Sequence, residues 1–383
     1  MNDLARVPAA KFPLEAASPA SLGFHQPTLD RLRDLIRGHI AEDRYPGAQV
    51  ALARNGKLAW YETFGHATLA PDTAAKDDTL WLLFSNTKVV TAIAVWTLVD
   101  AGVLRFGDRV AEYLPDFARH GKGEVTLAQV LSHVGGFPSQ DVSREAWTDH
   151  AVMRKNVCDF TLEWTPGTRL EYHRRTAHWT SAAVMEAVTG KDYRDVIRER
   201  VLVPLGLDRD VYVGLPDAEH GRAASMHEPA SDGSQRALDE ENTAPFRRAG
   251  LPSSGGYGTA RGMVGLYQML ANHGRLDGTR LLSRRLIEFA TRNHTGDMQD
   301  QYMGMPMHRG LGVHVRGTTL QIRGLGSLAS PRTYGHGGVG ASYCWTDPDS
   351  GVSFAYLTNS RIPEPWHSRR LDFVSNLVHS AIE

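Results

Sequence analysis

Along the chain the apolar positions switch between helical and strand period, and the switches outline an architecture. "QPTLDRLRDLIRGHIAED" sets Leu29, Leu32, Leu35, Ile36 and Ile40 on one face of a predicted helix. "GAQVALARNGKLAWYETFG" then reads as two strands joined at Asn55-Gly56, a pair suited to a tight hairpin. In "SNTKVVTAIAVWTLVDAGVL" the apolar run is nearly continuous, which predicts a buried helix. Ser85 is its expected N-cap, Val89, Ile93, Trp96 and Leu98 its interior, and Gly102 its approximate end.

From about 105 to 250 the pattern predicts helices and long loops, most clearly in "TSAAVMEAVTG" and "YRDVIRERVLVPLGL". One more helix follows in "SSGGYGTARGMVGLYQMLANHG", after which strands return in "GLGVHVRG" and "TYGHGGVGASYCWTDPDSGVSFAYLTN". "WHSRRLDFVSNLVHSAI" closes the chain as a helix. The economical fold class is α/β (α+β): an antiparallel sheet built from both termini, flanked by helices, with an inserted, mainly helical region. The corresponding division is a lead at 1–23, a sheet domain at 24–104 and 250–383, and a helical domain at 105–249. The active site is then expected at the interface of the two domains.

Gly335, Gly337 and Gly340 match G-x-G-x-x-G, a pattern that cradles phosphates only between a strand and a helix. Here an aromatic and β-branched run, an Asp-Pro-Asp-Ser-Gly turn and a second such run follow, so the segment reads as a β-hairpin. Glycines on a strand edge mean instead that something approaches the backbone closely.

Bulk properties narrow the partners. The 383 residues are 42% hydrophobic and 22% charged, with a formal net charge of −1, which gives no basis for nucleic-acid or anionic-membrane binding. No stretch is apolar enough for a signal peptide or a membrane span, and Cys158 and Cys344 are too few for a disulfide framework. The expected compartment is the cytoplasm.

Two places offer chemistry. Ser85 and Lys88 stand three apart at a helix start and share a face, so an amine kept neutral by burial could take the serine proton. Spacing alone favours a capping serine and a solvated lysine, but the apolar run after Lys88 argues for burial. Tyr172 follows a Pro-Gly turn and precedes a helix, a place from which a phenol can enter a cleft. His173 and His178 are five apart, do not stack on a helix face and have no obvious third partner, so no metal and no cofactor is expected.

"FSNTK", "EYHRRTAHW" and "GHGGVG", in that order, with "LLSHVGGFP" and "WTPGTRLEY" between them, resemble the serine β-lactamase and penicillin-binding-protein-like superfamily. The likeness spans roughly 24 to 380 and is strongest to the class C-like branch that holds the family VIII carboxylesterases. It implies an acyl-enzyme on Ser85, with Lys88 and Tyr172 as general base and general acid in an order left open. It implies an oxyanion hole from the N–H groups of Ser85 and Val339, and substrate contacts from His336, Gly337, Gly338 and His173. Two departures stand out. Tyr172-His173-Arg174 replaces the usual Tyr-x-Asn, with Arg174 expected to face solvent, and His336-Gly337-Gly338 stands where many members carry Lys-Thr-Gly. Both weaken recognition of a β-lactam. The expected partner is a small ester or amide; whether water, an alcohol or an amine accepts the acyl group stays open, as does a homo-oligomer.

Overall fold

The computed structural model describes residues 12–319 and 324–383. Residues 1–11 of the expected lead lie outside that range.

Strands from both ends of the chain merge into one nine-stranded sheet. Its centre is the pairing of Gly47–Arg54 with Val352–Thr358, antiparallel, with Leu52 opposite Phe354. On one side lies Lys57–Leu69, joined to Gly47–Arg54 through a turn in which Asn55 and Gly56 take φ of 51° and 77°. Both central positions therefore need the left-handed region, which Asn and Gly tolerate best. On the other side follow Ser342–Asp347, Tyr334–Gly338, His314–Val315 and His308–Arg309, all antiparallel. A parallel strand, Glu15–Ala16, completes one edge, a pairing that the sequence pattern does not signal.

Side-chain alternation explains why the sheet is covered on both faces. Ala51, Ala53, Ala355 and Leu357 join one core, while Val50, Leu52, Phe354 and Tyr356 join the other. Helix α1, Gln26–Ala41, lies over the second core with Leu29, Leu32 and Ile36 buried and Leu35 and Ile40 partly so. Helix α2, Thr87–Asp100, belongs to the first core, and Val89, Ile93, Trp96 and Leu98 are each 0% exposed.

Helix α3 runs from Thr176 to Thr189, beginning ahead of the predicted segment. Helices α4, Ala260–Ala271, and α5, Trp366–Ser380, pack on opposite faces of the sheet. Between 105 and 249 helices and loops dominate, with short strands such as Val211–Val213. That strand, Gly256–Gly258 and Trp81–Leu82 form a separate three-stranded sheet which leads straight into the turn bearing Ser85.

Candidate active site

The sequence placed Ser85 at the helix cap; the structure moves the cap one residue on. Ser85 lies in a 3-10 turn, Phe84–Asn86, and α2 is capped by Asn86 without a side-chain bond. Ahead of it Phe84 is held at φ 44°, a conformation rare for an aromatic residue, and the turn presents the Ser85 hydroxyl instead of spending it on the helix end. The turn is fixed from several sides. Leu83 N–H donates to Gly256 O at 2.8 Å, Gly256 N–H to Thr87 Oγ1 at 2.9 Å, and Asn86 Nδ2 to Ser342 Oγ at 3.0 Å.

One helical turn on, Lys88 is 0% exposed. Its Nζ stands 3.2 Å from Ser85 Oγ and donates to Ser253 O at 3.0 Å. It also lies 5.0 Å from the centre of the Tyr172 ring. Burial first, then the charges of Arg175, Arg309 and Arg174, hold the Lys88 amine well below the ordinary lysine range. Arg174 itself is exposed, as expected, but lines the cleft with its guanidinium 5.6 Å from the Tyr302 ring.

Tyr172 arrives on the loop before α3, its N–H accepted by Asp300 Oδ1 at 3.1 Å. The hydroxyl is buried and makes no hydrogen bond of good geometry among the described residues. Burial pushes its phenol well above the ordinary range, while the Ser85 hydroxyl and the Arg309 charge partly offset this. An amine whose protonation burial disfavours and an intact phenol thus flank one serine hydroxyl.

The glycine strand lines the same cleft, but its glycines answer to the protein itself. A β-carbon on Gly337 would stand 2.7 Å from the Tyr343 ring, and one on Gly338 2.6 Å from Leu83 O. The close approach expected at these glycines is made by Tyr343 and the nucleophile turn. Val339, in the turn after the strand, is 54% exposed. Neither its N–H nor that of Ser85 is bonded within the described protein, so both remain available to an oxyanion. His336 lines the cleft with Nδ1 donating to Gly337 O at 2.8 Å and its ring 4.0 Å from that of His314. Burial and Lys88 keep its imidazole well below the usual range, hence neutral.

His173 does not belong with these residues. It is 0% exposed and lines neither cavity at Ser85. Its Nδ1 donates to Glu171 O at 2.6 Å and its Nε2 accepts Phe137 N–H at 3.2 Å, so one neutral tautomer is fully used in holding the loop. His178 is equally buried, its ring 6.1 Å from that of His133. The described residues that come together as metal ligands are His150, Glu186 and Asp192, remote from Ser85 in sequence, and arginines already occupy them. Arg154 reaches Glu186 at 3.0 Å, and Arg194 reaches Asp192 at 2.5 Å and His150 at 3.1 Å.

Ser85 opens on two cavities. The first, about 490 Å³, is walled mainly by apolar groups such as Met303, Tyr343, Ile362 and Leu371, with Glu228, Arg361 and Glu364 also on its walls. The second, about 440 Å³, is charged, with Asp141, Arg174, Arg175, Glu241 and Arg361 on its walls. Sequence reasoning missed Met303, Asp300 and Arg309 because they belong to the irregular stretch after 290, which carries no periodic pattern. Nothing in "MQDQYMGMPMHRG" marks Asp300 or Arg309 as buried.

Known proteins share this fold and much of this sequence. Esterase/beta-lactamase LipL from Mycobacterium tuberculosis is 29% identical over 84% of this chain and 79% of its own. A crystal structure of a family VIII carboxylesterase superposes with a TM-score of 0.79 at 28% identity, over 92% of this chain and 98% of that one. A penicillin-binding protein homolog from Caulobacter crescentus gives 0.82 at 27% identity, over 92% and 97%. The family model described as Beta-lactamase matches residues 32–376, nearly the whole length, and the chain belongs to that family.

Proposed function

We propose that the protein is a serine esterase that works through an acyl-enzyme on small, uncharged esters. The observation that carries this is the buried Lys88 Nζ 3.2 Å from Ser85 Oγ, beside a cavity with largely apolar walls. A neutral Lys88 accepts the serine proton as Ser85 attacks the ester carbonyl. The oxyanion is met by the N–H groups of Ser85 and Val339, each such donor contributing roughly 3–4 kcal/mol to the barrier reduction. Tyr172, protonated because burial disfavours its phenolate, then donates to the leaving alkoxide. The opposite shifts of amine and phenol favour Lys88 as first base and Tyr172 as acid, although the two exchange protons as a unit. The cleft lies where the sheet part, 24–104 with 250–383, meets the helical part, 105–249. The names of the relatives, an esterase/beta-lactamase and a family VIII carboxylesterase, support this reading.

A second reading rests on the two cavities. With one side for the acyl group, the charged side has room for an alcohol or amine acceptor, which makes transacylation the alternative fate of the same intermediate. One assay tests both. An activated short-chain ester is supplied with millimolar alcohols or amines, and products are followed by mass spectrometry. Free acid as the main product supports the esterase; dominant transfer product replaces it with the transferase. Unchanged turnover in Ser85→Ala sinks both.

A further inference from the structure

Arg309 and Asp300 form an ion pair whose side chains are both 0% exposed, with Nη2 2.5 Å from Oδ2. The other Asp300 oxygen, Oδ1, accepts the backbone N–H groups of Tyr172 at 3.1 Å, Tyr302 at 3.0 Å and Met303 at 3.3 Å. The Arg309 guanidinium lies 4.9 Å from the centre of the Tyr172 ring, and its Nε and Nη1 have no acceptor among the described residues. Buried pairs of this kind are often no more stabilising than apolar residues of the same volume, so stability alone is a poor reason to find one here. Its place is more telling. A permanent cation, neutralised on one side only, rests against the phenol of the proton relay.

Building on the acyl-enzyme reading, we infer that Arg309, held by Asp300, is a positioning residue for the Ser85–Lys88–Tyr172 relay, biasing the amine toward neutrality and the phenol toward greater acidity. Asp300 at the same time ties the Tyr302–Met303 wall of the cavity to the backbone of Tyr172.

Other cations also act on Lys88, but they differ from Arg309 in exposure. Lys88 faces Ser85, Ser253 O, the Tyr172 ring and three arginines. Arg175 acts most strongly among them on Lys88, yet its side chain is 38% exposed, so solvent screens it. Arg174 is exposed. His133, His178 and His336 are kept neutral by burial. Tyr172 faces Ser85, Lys88, Arg309, Asp300, Tyr302 and the rings of His133, His314 and His336. Arg309 is the cation common to both relay groups that water does not reach.

The test uses the full chain and two readouts against pH: kcat/KM for an activated ester, and the rate at which a fluorophosphonate labels Ser85. Arg309→Gln removes the cation, so Lys88 holds its proton to higher pH and the acid limb moves up, by roughly half to one pH unit. Asp300→Asn leaves the cation without its counter-charge and moves the limb down. Arg309→Lys keeps the charge and restores the limb toward the wild-type position. A residue that serves only packing would lower the rate equally at every pH, and unmoved limbs in both variants overturn the inference. Where Arg309→Gln does not fold, the direction of the Asp300→Asn shift decides. A wild-type chain whose Ser85 is never labelled fails differently: it removes the acyl-enzyme on which the inference stands.

Discussion

The α-carbon of Gly338 lies so near Leu83 that a β-carbon on it would stand 2.6 Å from the Leu83 carbonyl oxygen. Strand and nucleophile turn thus meet backbone to backbone, and the distance between the two expected oxyanion donors is set by that contact.

Gly338→Ala must push the turn away from the strand. Overpacking of this kind costs about 1–3 kcal/mol, and a displacement of the order of 1 Å at a reacting atom costs about 10²-fold in rate. Thermal unfolding and kcat/KM should both fall. Gly38→Ala is the control: it lies in helix α1 with nothing within 4 Å of the added carbon, so it should stabilise by about 0.5–1 kcal/mol and leave turnover alone.

Lys88→Met should separate stability from activity. A general base contributes about 10²–10⁴-fold, so ester turnover should drop by that much. The folded chain holds Lys88 well below its unfolded value, so between those two values the unfolded state binds the extra proton and stability declines as pH falls. Methionine removes that penalty. Urea unfolding from pH 9 to pH 6 should show the variant gaining on the wild type as pH falls; a constant difference would contradict burial of the amine.

Several histidines predict acid sensitivity. Burial lowers His173 to about 4 and holds His133, His178 and His336 well below the ordinary imidazole value. An unfolded histidine takes up its proton near 6.5, so stability contributed by the neutral rings is full above that pH and is lost as pH falls toward about 4. His173→Gln should flatten this slope when unfolding is measured at pH 7, 6 and 5. Its KM for esters should stay close to the wild type, since the ring faces the loop and not the cleft.

Substrate preference follows from the neutral His336 and from the glycines where a lysine and a hydroxyl often stand. Uncharged esters with short acyl groups should be hydrolysed faster than penicillins or cephalosporins. Penicillin turnover equal to that of simple esters would contradict this preference and point to Arg361, on the same cavity wall, as the carboxylate partner. Chelators should leave ester turnover unchanged, because the His150, Glu186 and Asp192 cluster is filled by guanidinium groups.

What the sequence disclosed tracks how local each signal was. Periodicity located α1, α2 and the Asn55-Gly56 hairpin because each is dictated by neighbours a few residues away. The glycine strand was recognisable as a place of close approach, but the approaching group, Leu83, is far off in sequence and only the fold names it. Ser85 was misread as a cap because Ser at a helix start ordinarily caps; here Phe84 at positive φ turns the hydroxyl outward. His173 sits next to Tyr172 in the chain, yet the extended loop points the two side chains to different surroundings. Asp300 and Arg309 were invisible for a related reason: their meaning is their pairing with each other and with Tyr172, which no spacing encodes.

The central claim is that Lys88 activates Ser85, and covalent labelling tests it most directly. The full chain is treated with a fluorophosphonate at pH 7.5 and digested for mass spectrometry, beside Ser85→Ala and Lys88→Met. Ser85 makes no capping bond and is bonded only by Lys88 among the described side chains, so its alanine variant should still fold and melt close to the wild-type temperature. The account predicts a single adduct on Ser85 in the wild type, none in Ser85→Ala, and labelling about 10²–10⁴-fold slower in Lys88→Met. An adduct on another residue, or equal labelling rates with and without Lys88, would contradict it.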